Sequence, residues 1–366
     1  MWYVIIVSVI AAYAAGLIYI SFRCARFAFL RKLTRNRKAP AVLIAAVFFG
    51  LLTGLLTLLL NIVNAMIVMI HLYAFWLSGD LVSFAVSRIR HKKPVRYYAG
   101  AIAAGLCAVY LAYGWISVHH VRQTEYSFQS SKLPEDVRIV QISDSHIGAT
   151  FDAKGLLKYV EEINALEPDV VVVTGDFVDD DTSREDMLGG CDALGKLKTR
   201  YGVYFVWGNH DKGYYSGERR GWTDKELRDR LTENNVRVTE DEALLINDAF
   251  YIVGRLDRSN GGRKTANELL SGLDGSKYTV LLDHQPSDFD AEAEAGADLV
   301  LCGHTHGGQL IPVRYVGEWL GVVDLRYGHE KRGNTDFIVS SGISNWALRF
   351  KTGCFSEYVV IDLKAI

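Results

Sequence analysis

Residues 169–176 read DVVVVTGD. Four consecutive valines are poor helix formers, and they leave no polar side for a strand with one wet face. Such a run suits a strand buried on both faces. The glycine and aspartate that follow set a carboxylate where that strand ends. The pattern recurs outward from this point. Strand-like runs occupy 137–142, 202–207, 249–253, 278–282, 298–302, 336–340 and 357–363. Helical patterns fall between them, near 153–166, 184–198, 223–234, 264–271 and 288–295. Apolar strands alternating with helices predict an α/β fold with its sheets covered on both faces. The roughly 245 residues after position 120 are ample for one sizeable core.

The polar residues gather where strands end. The first run leads into Ser143-Asp144-Ser145-His146 and the second into Gly175-Asp176. The third leads into Gly208-Asn209-His210-Asp211, and later runs into Asp283-His284 and Gly303-His304-Thr305-His306-Gly307-Gly308. Ligands of open α/β sheets collect at the carboxyl ends of strands. Five of the ten histidines in the chain sit there, which is too many for chance surface placement.

Imidazole suits Zn, Fe and Mn, whereas carboxylates favour harder cations, so a mixed shell fits first-row divalent ions. The spacing in Asp144-Ser145-His146 and in His304-Thr305-His306 lets two side chains reach one centre across a bend. Asp176, alone on its loop, is the candidate for a carboxylate shared by two metals. Glycines before Asp176, Asn209 and His304 allow sharp turns and leave room. Two divalent cations outweigh two ligand carboxylates even with a hydroxide added, and the positive remainder suits a phosphoryl group. His210 is placed to protonate a leaving oxygen, with Asp211 expected to orient its ring.

Asp-x-His or Gly-Asp alone is a weak signal. Gly-Asn-His-Asp and Gly-His-Thr-His-Gly-Gly are stronger, and all five segments in this order resemble the calcineurin-like metallophosphoesterase superfamily. The resemblance covers residues 137–363. The stretch from Leu301 to Pro312 is similar to the membrane-attached YaeI/YkuE-like branch. It implies a sandwich of two β-sheets flanked by helices. It also implies two divalent metal ions (Mn, Fe or Zn). Asp144, His146, Asp176 and His306 would hold one, and Asp176, Asn209, His284 and His304 the other. His210 would be the acid, and Arg349 a weaker candidate for substrate phosphate. Cys302 stands where similar proteins often have Ser; at the end of a buried strand it reads as packing.

The first third is different. Residues 1–118 hold twelve basic residues and one acidic residue, Asp80, for a net +11. The other 248 residues carry 28 basic and 41 acidic, for a net −13. Charge-free runs cover 1–22, 39–79 and 97–121. About 20 residues cross a bilayer, and one straight helix over the middle run would extend about 60 Å, roughly twice the hydrocarbon thickness. Four crossings are expected, near 2–22, 41–60, 62–80 and 98–118, with a turn at Asn61 and Asn64. Arg23 to Lys38 and Arg88 to Arg96 then both face the cytoplasm, as basic loops prefer. The chain after residue 119 is then outside. A cleaved signal peptide is disfavoured, because residues 1–22 lack a positively charged start. The expected organisation is an all-α membrane region over 1–118, a linker over 119–136 and an enzyme domain over 137–366.

Nucleic acid is not an expected partner, since the basic charge is not on the polar part. Membrane lipids and a phosphoester substrate are. The expected activity is hydrolysis of phosphodiester or pyrophosphate bonds in lipid or envelope substrates, with manganese among the candidate metals. The alternatives are a cytoplasm-facing nucleotide or protein phosphatase, if the middle run crosses once, and a non-catalytic metal-stabilised module. The mixed aromatic and basic loops at 212–222 and 313–332 read as ordinary packing ahead of lipid contact. His71, His119, His120 and His329 read as packing or surface residues, and Cys191 and Cys354 as core thiols.

Overall fold

The computed structural model describes residues 2–92, 97–214, 220–311 and 313–366. Lys93 and Arg96 of the second basic cluster, residues 215–219 of the 212–222 loop, and Pro312 lie outside the described residues. The chain forms two compact units. One holds Met1–Gly114 with Ala347–Arg349, and the other holds Trp115–Trp346 with Phe350–Ile366.

The first unit is helical: α1 (Trp2–Cys24), α2 (Ala28–Leu33), α3 (Lys38–Leu60), α4 (Ile62–Ile89) and most of α5 (Ala99–His119). All but α2 are long and apolar enough to cross a membrane. The turn between α3 and α4 falls at Asn61, whose φ is +119° and whose side chain accepts the Asn64 N–H at 2.9 Å. That cap supplies a partner to an otherwise orphaned N–H at the start of α4.

Two boundaries differ from expectation. The loop from Arg23 to Lys38 contains α2, and α4 runs on to Ile89 instead of stopping near residue 80. Asp80 was expected to end its helix because it is charged. It is buried, however, and its carboxylate accepts from Arg23 Nε and from the hydroxyls of Tyr19 and Tyr97. A charge paired in this way does not have to leave an apolar helix. His71 has a packing role, with Nδ1 2.7 Å from the Ile67 carbonyl and its ring stacked on Tyr110.

Among the described residues the second unit holds twelve strands in two sheets. The first sheet has the order β1-β12-β2-β3-β4-β5, with β1 (Arg122–Ser130), β2 (Val137–Ile142), β3 (Val170–Thr174), β4 (Val203–Val206), β5 (Val236–Val238) and β12 (Glu357–Ala365). The second has the order β10-β11-β9-β8-β7-β6, with β6 (Glu242–Ile246), β7 (Phe250–Gly254), β8 (Tyr278–Leu282), β9 (Leu299–Cys302), β10 (Gly328–Arg332) and β11 (Thr335–Val339). The valine run shows why two sheets form. Val170 and Val172 pack between the sheets, against Phe250, Val280 and Leu301. Val171 and Val173 point the other way, onto the helices α6 (Ala153–Asn164), α7 (Arg184–Leu194) and α8 (Asp224–Glu233). Two helices, α9 (Ala266–Leu270) and α10 (Phe289–Glu294), cover the outer face of the second sheet. The alternation of side chains along a strand therefore buries both faces of the first sheet.

The stretch 119–136, expected as a linker, contains β1, which pairs in parallel with β12 from Arg122↔Glu357 to Ser130↔Ala365. Its sequence RQTEYSFQS is polar because it is a sheet edge. Every second residue, including Tyr126 and Phe128, is half-buried and the others are exposed.

Candidate metal centre

Both sheets send strand ends to one place. From the first sheet, β2 leads to Asp144 and His146, β3 to Asp176, and β4 to Asn209 and His210. From the second, β8 leads to His284 and β9 to His304 and His306. Asp144, His146 and His306 form one group whose ligand-type atoms lie within 4.8 Å of one another, and Asp176, His284 and His304 form another. Asp176 Oδ2 is 3.0 Å from His284 Nε2 and 3.7 Å from His146 Nε2, so one carboxylate oxygen lies close to both groups. Asn209 Oδ1 is 3.2 Å from His284 Nε2, while its Nδ2 donates to Tyr214 Oη at 2.9 Å. His306 Nε2 is 3.5 Å from Asp144 Oδ1.

The backbone is bent to achieve this convergence. Asp144, His146, Asp176, His304 and His306 all have φ between +36° and +72°. Non-glycine residues seldom occupy that region, and strain of this kind concentrates at functional sites. Two glycines are fixed by space. A Cβ on Gly208 would lie 2.2 Å from Asp176 Oδ1, and one on Gly303 would lie 1.9 Å from Ser143 Oγ.

The electrostatics suit cations. Burial pushes His304 down to about 4 and lowers His306 well below the usual histidine range. His284 is equally buried, but the Asp176 carboxylate beside it outweighs burial and holds it well above that range. His146 is also raised against burial, chiefly by the Asp179 carboxylate 3.1 Å from its Nδ1. In return, Asp176 is held well below the carboxylate range despite its burial. Among the described residues, His146 Nε2, His304 Nδ1 and His306 Nδ1 are buried and lack a hydrogen-bond partner. Buried nitrogens are rarely left unpaired, and three of them in one His/Asp cluster fit divalent metal ions.

A scan against family models matches residues 137–308 to the calcineurin-like phosphoesterase family. An uncharacterized metallophosphoesterase of Aquifex aeolicus is 34% identical over 214 residues, covering 56% of this chain and 77% of that one. The chain belongs to the calcineurin-like metallophosphoesterase family. This metallophosphoesterase also aligns with YkuE of Bacillus subtilis, at 27% identity over 73% of this chain and 94% of the relative. A transmembrane protein with metallophosphoesterase domain from Danio rerio is 33% identical over 58% of this chain, which spans only 51% of that relative. The assignment makes the chain a metal-binding hydrolase with long apolar helices ahead of its enzyme domain.

One expected residue is placed differently. The Asp211 carboxylate was expected to orient His210. It is fully buried and accepts instead from the backbone N–H groups of Gly208, Asp176, Phe177 and Val178, at 2.7 to 3.1 Å. A carboxylate offers about four acceptor positions, and these amides use them. Asp211 therefore ties the loop after β3 to the loop after β4. Arg349 groups with the first unit, where its N–H donates to Asn64 Oδ1 at 2.8 Å.

Sequence reading missed Asp179, which steadies His146, and the Thr174 carbonyl, 2.8 Å from His284 Nδ1. Partners of this kind fix the orientation of a ligating imidazole. Only the acidic run Asp179-Asp180-Asp181 hinted at the first. It also missed Trp346 and Tyr214, whose rings lie 4.9 and 5.2 Å from the His210 ring. Cys302 packs in the core of the second sheet, and all five cysteines are buried and free.

Proposed function

We propose that this chain is a membrane-anchored phosphoesterase that uses two divalent metal ions (Mn, Fe or Zn) to hydrolyse phosphodiester or pyrophosphate bonds in lipid or envelope substrates. The observation that carries the two-metal reading is the position of Asp176 Oδ2 beside both ligand groups. Asp144, His146, Asp176 and His306 would hold one ion, and Asp176, Asn209, His284 and His304 the other. Bound ions of this kind activate water and neutralise phosphoryl oxygens. The acidic domain supports that reading, since surface charge would not attract a phosphate.

The chain's own groups divide the remaining work. His210 is assigned the proton that the departing oxygen needs. Its backbone N–H donates to Asp176 Oδ1 at 2.8 Å, and burial lowers its ring below the usual histidine value. A ring so lowered is the stronger acid when protonated, and its protonated share falls as pH rises. Tyr214 holds the Asn209 amide through Nδ2, which directs Oδ1 to the His284 side. Trp346 and Tyr214 flank His210.

The lipid assignment draws on the four long apolar helices in the same chain. The external placement of the enzyme domain draws on the two basic clusters at 23–38 and 88–96. Reporter fusions after residue 120 test that placement, and a cytoplasmic signal overturns it. The activity is tested with purified full-length protein and Mn²⁺ on activated phosphodiesters and pyrophosphates. Hydrolysis lost in His210→Ala for poor leaving groups, and retained for good ones, is the expected result. No hydrolysis of any of them overturns the proposal.

A further inference from the structure

The faces of α4 and α5 separate around a groove of about 720 Å³. Phe75, Val82 and Val86 line it from α4, and Ile102 and Leu106 from α5. Arg90 and Lys92 stand at one end. The α4 residues lining the groove recur every three or four positions from Phe75 to Arg90, a single face about 22 Å long at 1.5 Å per residue. That is the reach of an acyl chain with its headgroup.

Charge decides what belongs there. Asp80 is the only acidic residue in positions 1–118, and Arg23, Tyr19 and Tyr97 already occupy it. Among the described residues Arg90 and Lys92 have no ion-pair partner, and both are exposed. Ser83 and Ser87 lie in the same groove, Ser87 next to Arg90 along the lining face of α4. An apolar trough that ends in two unpaired cations is complementary to one molecule with an apolar tail and an anionic head. We propose that this groove binds an anionic phospholipid, its acyl chain along Val82, Val86 and Ile102 and its phosphate at Arg90 and Lys92. The proposal draws on residues of the first unit alone and does not depend on the proposed activity.

A basic residue near an anionic headgroup is worth roughly fivefold in binding, so two give about thirtyfold. The test is native mass spectrometry of the full chain released from detergent with phosphatidylglycerol or phosphatidylcholine. Phosphatidylglycerol is expected to be retained about thirtyfold better. Arg90→Gln with Lys92→Gln should abolish the preference, while Arg31→Gln with Lys32→Gln, in the other basic segment, should keep it. Val82→Trp fills the trough and should lower retention of phosphatidylglycerol with both cations intact. Equal retention of the two lipids overturns the proposal. So does equal loss of preference in both double variants, or displacement of the lipid by millimolar inorganic phosphate.

Discussion

Replacing Asp211 by Ala separates the role seen in the structure from the one expected of it. The change removes the acceptor of four buried N–H groups, from Gly208, Asp176, Phe177 and Val178. A buried donor left without a partner costs about 1–3 kcal/mol. At the low end, four donors give about 4 kcal/mol, a large share of the 5–15 kcal/mol that typically holds a domain together. For a domain of this size that is a drop in melting temperature of about 10 °C. Asp211→Asn keeps one oxygen and turns an amide NH₂ toward two of the donors, so roughly half the loss is expected. The assay is thermal unfolding of the full chain in detergent, followed by tryptophan fluorescence, because Trp207 and Trp222 are buried in this unit. His210→Ala, half-buried at the same loop, should shift the transition by no more than a degree or two. If Asp211→Ala unfolds within a degree of the parent but loses turnover, Asp211 acts on His210 and the loop-tie reading is wrong.

Three further outcomes are expected. Asp176→Asn should leave the fold intact yet lower both metal content and activity, and two bound metals by elemental analysis would sink the bridging role. Asp179→Ala removes the partner of His146 Nδ1 and should weaken metal affinity by about 10–100-fold, measured by competition with a chelator; unchanged affinity refutes it. His146 and His284 are both raised by neighbouring carboxylates against their burial, so without metal each keeps its proton to higher pH than a free histidine. Metal must displace those protons, so binding should release them and affinity should fall as pH is lowered. Calorimetry in buffers of different ionisation enthalpy measures that release, and identical heats in all of them would count against it.

The strands that sequence reading found and the ones it missed differ in one physical respect. All eight expected runs are strands, and each lies inside a sheet. The four missed strands, β1, β5, β6 and β10, are the four sheet edges. An interior strand is apolar on both faces and announces itself, as the valines of β3 do. An edge strand has a wet side, so Arg122–Ser130 reads as a polar linker and Gly328–Arg332 (GHEKR) as a loop. The candidate ligands were legible because each adjoins an interior strand end. Asp211 was misread for a related reason. Its neighbour in sequence is His210, but three of its four partners come from another strand's loop, and nothing local signals those. The Asp80 pairing was equally hidden, since Arg23 lies 57 residues away.

The pairing of β1 with β12 also sets a schedule for making the protein. Each residue of β1 meets a partner translated about 235 residues later. At ~5–20 residues per second that interval is on the order of 10–50 s. Throughout it, the first strand to follow the helices waits with an unsatisfied edge while the rest of its sheet is assembled beside it. Its glutamate, arginine and glutamines, poor material for a buried strand, keep that edge soluble during the wait.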